Sequence, residues 1–136
     1  MPKKILIIKS SSMGDIVHAL PVAYDIKKHY PDCELSWVVE ESFTDIPKLS
    51  PFVDKLVVTA FRRWRKNIFS SSVRGEILAV RRALAEAKYD IVIDLQGLIR
   101  TAVVARWAGV ESVGYSKENI KEPLAAHFYS RTLPVS

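Results

Sequence analysis

The residues best placed to do chemistry come early in the chain. In "ILIIKSSSMGDIVHALP", Ile5–Pro21, an apolar run meets Lys9, the hydroxyls of Ser10, Ser11 and Ser12, a single Gly14 and then Asp15. An apolar pattern at helical spacing follows. A dinucleotide loop would need G-x-G-x-x-G here, and a triphosphate loop G-x-x-x-x-G-K-[ST]. Gly14 stands alone, which argues against a cofactor-binding Rossmann loop and leaves hydroxyls, one flexible glycine and one carboxylate. Asp15 has two readings. It can cap a helix N-terminus, a setting that stabilises a carboxylate and weakens it as a base. It can also take a proton from a bound hydroxyl, if the loop faces a ligand cleft. His18, three residues on, reads as a solvated first-turn histidine.

A second group lies in "FRRWRKNIFSSSVRG", Phe61–Gly75, which holds Arg62, Arg63, Arg65, Lys66 and Arg74 and no acid. The 136-residue chain has 20 Lys and Arg against 15 Asp and Glu, a net charge of +5, so this one segment matches the whole excess. Guanidinium forks suit carboxylates and phosphates. The partner implied is an anion: a small or lipid-linked ligand, an anionic membrane surface, or a nucleic acid with Trp64 stacked on a base. No helix-turn-helix, zinc-finger or RNP pattern supports the last of these. The plain structural alternative is a solvated loop.

A third group, Asp94 with Gln96 and Gly97, closes "YDIVIDLQG". Asp94 can cap its own loop or orient Gln96 or a ligand hydroxyl. No D-x-D triplet occurs, and His18, His29 and His127 fall in no metal-ligand spacing, so no metal site is expected. Cys33, the one cysteine, cannot form an internal disulfide and sits in an expected turn.

These groups need elements to position them. "KKILIIK" (3–9), "ELSWVVE" (34–40), "KLVVTA" (55–60), "YDIVIDL" (89–95) and "SVGY" (112–115) read as strands. The first and fourth are near-continuous in Ile, Val and Leu, as in strands covered on both faces of a parallel sheet. Helical spacing runs through Ile16, Leu20 and Ala23 with Val17 and Tyr24, through "EILAVRRALAEAKY", and through "LIRTAVVARWAG", where Gly109 is the expected stop. Pro21 should kink the first helix or mark a restart. The alternation predicts one α/β domain with a doubly wound, mostly parallel, Rossmann-like sheet. In that fold ligands bind beyond the carboxyl ends of the strands, where the loops after strands one to four carry Ser10–Asp15, Glu40 and Glu41, the basic segment, and Asp94–Gly97. No stretch is long enough for a membrane span or a signal peptide, so a cytoplasmic protein is expected.

The motifs "ILIIKSSSMGDIVHALPV", "WVVEESF", "FRRWRK", "YDIVIDLQGLIRTA" and "KEPLAAHFYSR", in this order from about residue 3 to the end, resemble glycosyltransferase family 9, the lipopolysaccharide heptosyltransferases. The "RRWRK" block and the "EPLA" segment resemble the type I members more than type II. The resemblance implies the N-terminal, acceptor-binding half of a GT-B glycosyltransferase, residues 1–136, with a C-terminal donor-binding domain absent from this chain. It implies inverting, metal-independent transfer of L-glycero-D-manno-heptose from ADP-heptose to a Kdo sugar of the lipid A inner core, with no cofactor beyond the donor substrate. Asp15 matches the family's general base. Arg62, Arg63, Arg65 and Lys66 match its acceptor-binding basic block, and Ser10, Ser11, Ser12, Gly14 and Gln96 match loop positions on the acceptor side. Lys121 stands where relatives commonly carry arginine, which keeps the charge but loses the bidentate fork. The implied location is the cytoplasmic face of the inner membrane, with no nucleic-acid partner, and the half-protein alone should turn over weakly or not at all. A non-catalytic module for acidic glycolipids is the alternative, with a nucleic-acid binder behind it.

Overall fold

The computed structural model describes residues 3–96, 98–108, 112–115 and 131–133. Strands β1 (Lys4–Ile8), β2 (Glu34–Glu40), β3 (Lys55–Thr59), β4 (Ile91–Asp94), β5 (Ser112–Tyr115) and β6 (Arg131–Leu133) form one sheet in the order β3-β2-β1-β4-β5-β6. Every pairing is parallel; Ile7, for example, stands opposite Trp37 on one side and Ile93 on the other. Strand order reverses between β1 and β4, the place where a doubly wound sheet opens a crevice.

Alternation along β1 and β2 supplies both cores. Ile5, Ile7, Leu35, Trp37 and Val39 face helix α1 (Met13–His29), which answers with Ile16, Ala19, Ala23 and Ile26. Leu6, Ile8, Val38 and Val92 face the other way, against Leu84 of α3 (Ser71–Ala87) and Val104, Ala105 and Ala108 in and just after α4 (Ile99–Trp107). Each such aliphatic side chain, fully buried, contributes roughly 1.5–3 kcal/mol. The helical stripe expected on α1 is partly corrected: Val17 and Tyr24 are exposed, and Ala19 and Ile26 take the inward positions. Pro21 neither ends nor restarts α1, whose assignment is unbroken. Pro21 and Val17 both face solvent, so water can take up the carbonyl that the missing N–H leaves behind.

The basic segment, expected as a loop, is instead a short helix, α2 (Phe61–Lys66). Its first turn is held by Glu40. One carboxylate oxygen accepts from Thr59 Oγ1 (3.0 Å) and the Phe61 N–H (2.9 Å), the other from the Arg62 N–H (3.1 Å). The acid that ends β2 thus satisfies the orphan donors of the helix that follows β3.

Candidate functional site

The candidate site grows from the loop after β1. Lys9 is buried and donates from Nζ to the Leu95 carbonyl at 3.1 Å, while the Leu95 N–H returns a bond to the Ile8 carbonyl at 2.9 Å. Gln96 continues the tie: its N–H donates to Asp94 Oδ1 (2.8 Å), and its Oε1 accepts from the Ser11 N–H (3.4 Å). The loops after β1 and β4 are therefore stitched together across the reversal of strand order. Asp94 is fully buried and accepts from the backbone N–H of Gln96, the loop-capping role. Gln96, expected on the ligand side, is itself buried, with its amide oxygen turned to Ser11.

Asp15 is exposed, three residues into α1. The capping position belongs to Ser12, which donates to Asp15 Oδ2 from its N–H (3.3 Å) and from Oγ (3.1 Å). Asp15 is thus the reciprocal acid of a capping arrangement, not the cap expected from sequence. This grip fixes the carboxylate at the head of α1, on the carboxyl side of the sheet. A Cβ added at Gly14 would meet nothing within 4 Å. No protein neighbour demands glycine there.

Beside this loop lies a cavity of roughly 530 Å³. Ser10 and Ser11 line one wall, Arg62 and Arg65 another, and Phe43, Ile77 and Trp107 supply apolar surface. Ser10 is 1% exposed, and its Oγ has no hydrogen-bond partner among the described residues. A buried hydroxyl without a partner costs on the order of 1–3 kcal/mol, and Ser10 stands in the wall of the cavity. Arg62 and Arg65 are exposed and, among the described residues, make no ion pair.

Arg63 is arranged differently. Its guanidinium bridges Glu41 (Nε–Oε2, 3.2 Å) and Glu76 (Nη2–Oε1, 2.5 Å), with a further Nη1 bond to Glu76 at 2.8 Å. The Arg63 bonds, followed by one from Trp64 Nε1, hold the Glu76 carboxyl down to about 2, and the two carboxylates raise Arg63 further above its ordinary value. Trp64 is 5% exposed, packed edge-on against Phe61 at 5.6 Å between ring centroids. It cannot stack on a nucleic-acid base, which removes the aromatic support for that reading. Lys66 is exposed at the end of α2. Lys121 lies outside the described residues, as does Gly97. No group of three or more His, Cys, Asp or Glu suited to a metal comes together among the described residues.

The fold thus brings Ser10, Ser11, Arg62 and Arg65 to one cavity and sets Ser12, Gly14 and Asp15 at its neighbouring helix end. Sequence reasoning missed Phe43, Ile77 and Trp107. They come from three separate elements and carry only the signature of ordinary core residues.

Residues 77–136 match the profile of glycosyltransferase family 9 (heptosyltransferase). Over 134 residues the chain is 40% identical to lipopolysaccharide heptosyltransferase 1 of Pseudomonas aeruginosa, covering 98% of this chain and 38% of that protein. It is 43% identical over 129 residues to lipopolysaccharide heptosyltransferase 1 of Escherichia coli K12, covering 94% of this chain and 40% of that protein. The solved structure of the E. coli heptosyltransferase WaaC with ADP superposes with a TM-score of 0.91 at 40% identity, over 98% of this chain and 42% of that one. WaaC with ADP-2-deoxy-2-fluoro heptose gives the same values. E. coli ADP-heptose lps heptosyltransferase II, at 17% identity and a TM-score of 0.72, shares the fold over 98% of this chain and 35% of its own. The chain spans about two fifths of the length of the curated relatives it matches.

Proposed function

We propose that the chain, whose residues 77–136 match glycosyltransferase family 9 and which is 40% identical to lipopolysaccharide heptosyltransferase 1 of Pseudomonas aeruginosa, belongs to that family and forms the acceptor-binding part of an inverting heptosyltransferase of lipopolysaccharide core synthesis. The donor is ADP-heptose, held by the remainder of the complete protein, and the acceptor is a Kdo sugar of the lipid A inner core. In this reading Asp15 removes the proton from the acceptor hydroxyl. The freed oxygen attacks the anomeric carbon of heptose as the bond to ADP breaks, and ADP departs with the electron pair. One base on the acceptor side suffices for a single inverting displacement, and the reaction needs no metal from this part of the protein.

Arg62 and Arg65 hold the acceptor's carboxylate or phosphate, Ser10 and Ser11 meet its hydroxyls, and Arg63 braces α2 against Glu41 and Glu76. The observation that carries the proposal is the cavity itself. It sets Ser10, whose buried hydroxyl has no partner among the described residues, against two guanidinium groups that form no ion pair among them, next to a carboxylate fixed at a helix head. The experiment is ADP release by the complete protein, with ADP-heptose and a Kdo-bearing acceptor, for wild type and Asp15→Asn. Asparagine retains an oxygen for the Ser12 N–H but cannot take the proton. A wild-type rate in that variant contradicts the assignment.

A further inference from the structure

The corner between α2 and α3 has a surface that the site does not use. Ile68 and Phe69 form the turn after α2, and Phe69 is 85% exposed, the most exposed large hydrophobic residue among those described. Arg74, Leu78 and Arg81 follow on α3 at spacings of four and three, which places them on one face. Leu78 is also exposed, and the Arg74 guanidinium lies 6.0 Å from the Phe69 ring centroid.

A second hollow of roughly 400 Å³ runs between these residues and Trp107. It shares Ile68, Ile77 and Trp107 with the cavity beside Ser10, so an apolar track leads from the strand ends to this corner. Between Phe61 and Arg82 the sequence holds seven Lys and Arg and one acid, Glu76, which Arg63 already engages. An apolar tip ringed by unopposed cations suits a surface that is greasy inside and anionic outside. A protein partner or second copy would need acids set opposite, and the described residues at this corner form no such patch.

We propose that this corner docks onto an anionic lipid bilayer, with Phe69 and Leu78 entering the headgroup–acyl boundary and Arg74 and Arg81 pairing with lipid phosphates. The docking points the track toward the membrane, so that a lipid-linked acceptor enters the cavity along it. The inference extends the acceptor reading above, but its test does not depend on turnover.

The complete protein is sedimented with vesicles of phosphatidylcholine alone and of phosphatidylcholine mixed with phosphatidylglycerol. Binding is expected to the mixed vesicles and to weaken with added salt. Phe69→Ser should lower the partition coefficient roughly tenfold, and Arg74→Gln by about fivefold. Phe69 makes so little internal contact that its variant should melt with wild type and transfer heptose to a short water-soluble acceptor at the wild-type rate. Equal binding to neutral and anionic vesicles, or undiminished binding by Phe69→Ser, overturns the proposal. So does Phe69-dependent self-association without vesicle binding, which would assign the face to a second copy. Vesicle binding with no heptose transfer by wild type would leave the docking surface standing and sink the catalytic reading alone.

Discussion

The two ends of the sheet handle their polar groups in opposite ways. At the amino end, Asp54 accepts from the Leu35 N–H (2.7 Å) and pairs with Lys27 at 2.6 Å, while Lys27 also donates to the Cys33 carbonyl. Asp90 accepts from the Lys4 and Lys3 N–H groups at 2.9 and 2.7 Å. One oxygen of each carboxylate ties strand starts together from inside the chain. At the carboxyl end some groups do the same work, Glu40 and Arg63 among them. Alongside them, however, stand a buried Ser10 hydroxyl with no partner and two arginines with no counter-ion among the described residues. The amino end is the more closed of the two by its own hydrogen bonds, although the buried Ser36 hydroxyl of β2 also lacks a partner among the described residues, and the carboxyl end is left to be completed from outside. Counting charge along the sequence cannot distinguish the two; pairing can.

The largest expected effect tests the open end. Asp15→Asn in the complete protein should slow heptose transfer by about a hundredfold to ten-thousandfold, the range for loss of a general base, with an unchanged melting temperature. Next, Arg65→Gln should raise the acceptor KM about tenfold, as expected for a charge-assisted bond to an anion, and leave stability alone. Arg63→Gln should do the reverse, loosening α2 more than it raises KM. If the two variants behave alike in steady-state kinetics, the division drawn between them fails.

Much of this division could not be read from the sequence. The strands β1 and β4 fall within the apolar runs that place them, because strands covered on both faces leave an unbroken hydrophobic trace. β6 escaped, since three residues, "RTL", carry no measurable period. The β1 loop was legible as chemistry because its parts are adjacent in sequence. The basic helix was not. Arg63 is neutralised by Glu76, 13 positions on, and by Glu41, 22 positions back, and Trp64 is turned under by the helix that Glu40 caps. Local composition carries no information on partners that far apart.

The closed end makes smaller predictions. Asp54→Ala removes the bond to Leu35 and the Lys27 pair, and, screened by solvent at this half-exposed site, should cost about 1 kcal/mol in chemical denaturation without altering acceptor KM. Burial opposes ionisation of Asp54, but the Leu35 N–H and Lys27 outweigh it and hold the carboxyl below the usual carboxylate range. Its contribution is therefore fully present above the ordinary aspartate value of 3.8 and fades as pH falls below it. Asp90, held down by the Lys4 and then the Lys3 N–H, should behave alike.

The smallest effect concerns Arg63. Glu76 is lowered from 4.5 to about 2 by that partner, so the stabilisation exists above pH 4.5 and disappears as pH falls toward 2. Melting curves of wild type and Arg63→Gln should converge across that window. A gap that stays constant would mean that the Arg63–Glu76 bridge does not brace α2.

The central claim is that an anionic acceptor sugar completes the open end of the sheet. Its most direct test is a crystal structure of the complete protein with a Kdo-bearing acceptor fragment. The account predicts an acceptor hydroxyl within hydrogen-bond reach of Asp15 and an acceptor carboxylate or phosphate on Arg62 or Arg65, with Ser10 Oγ engaged. An acceptor bound elsewhere, with Ser10 Oγ still unpartnered and Asp15 facing only solvent, would contradict it.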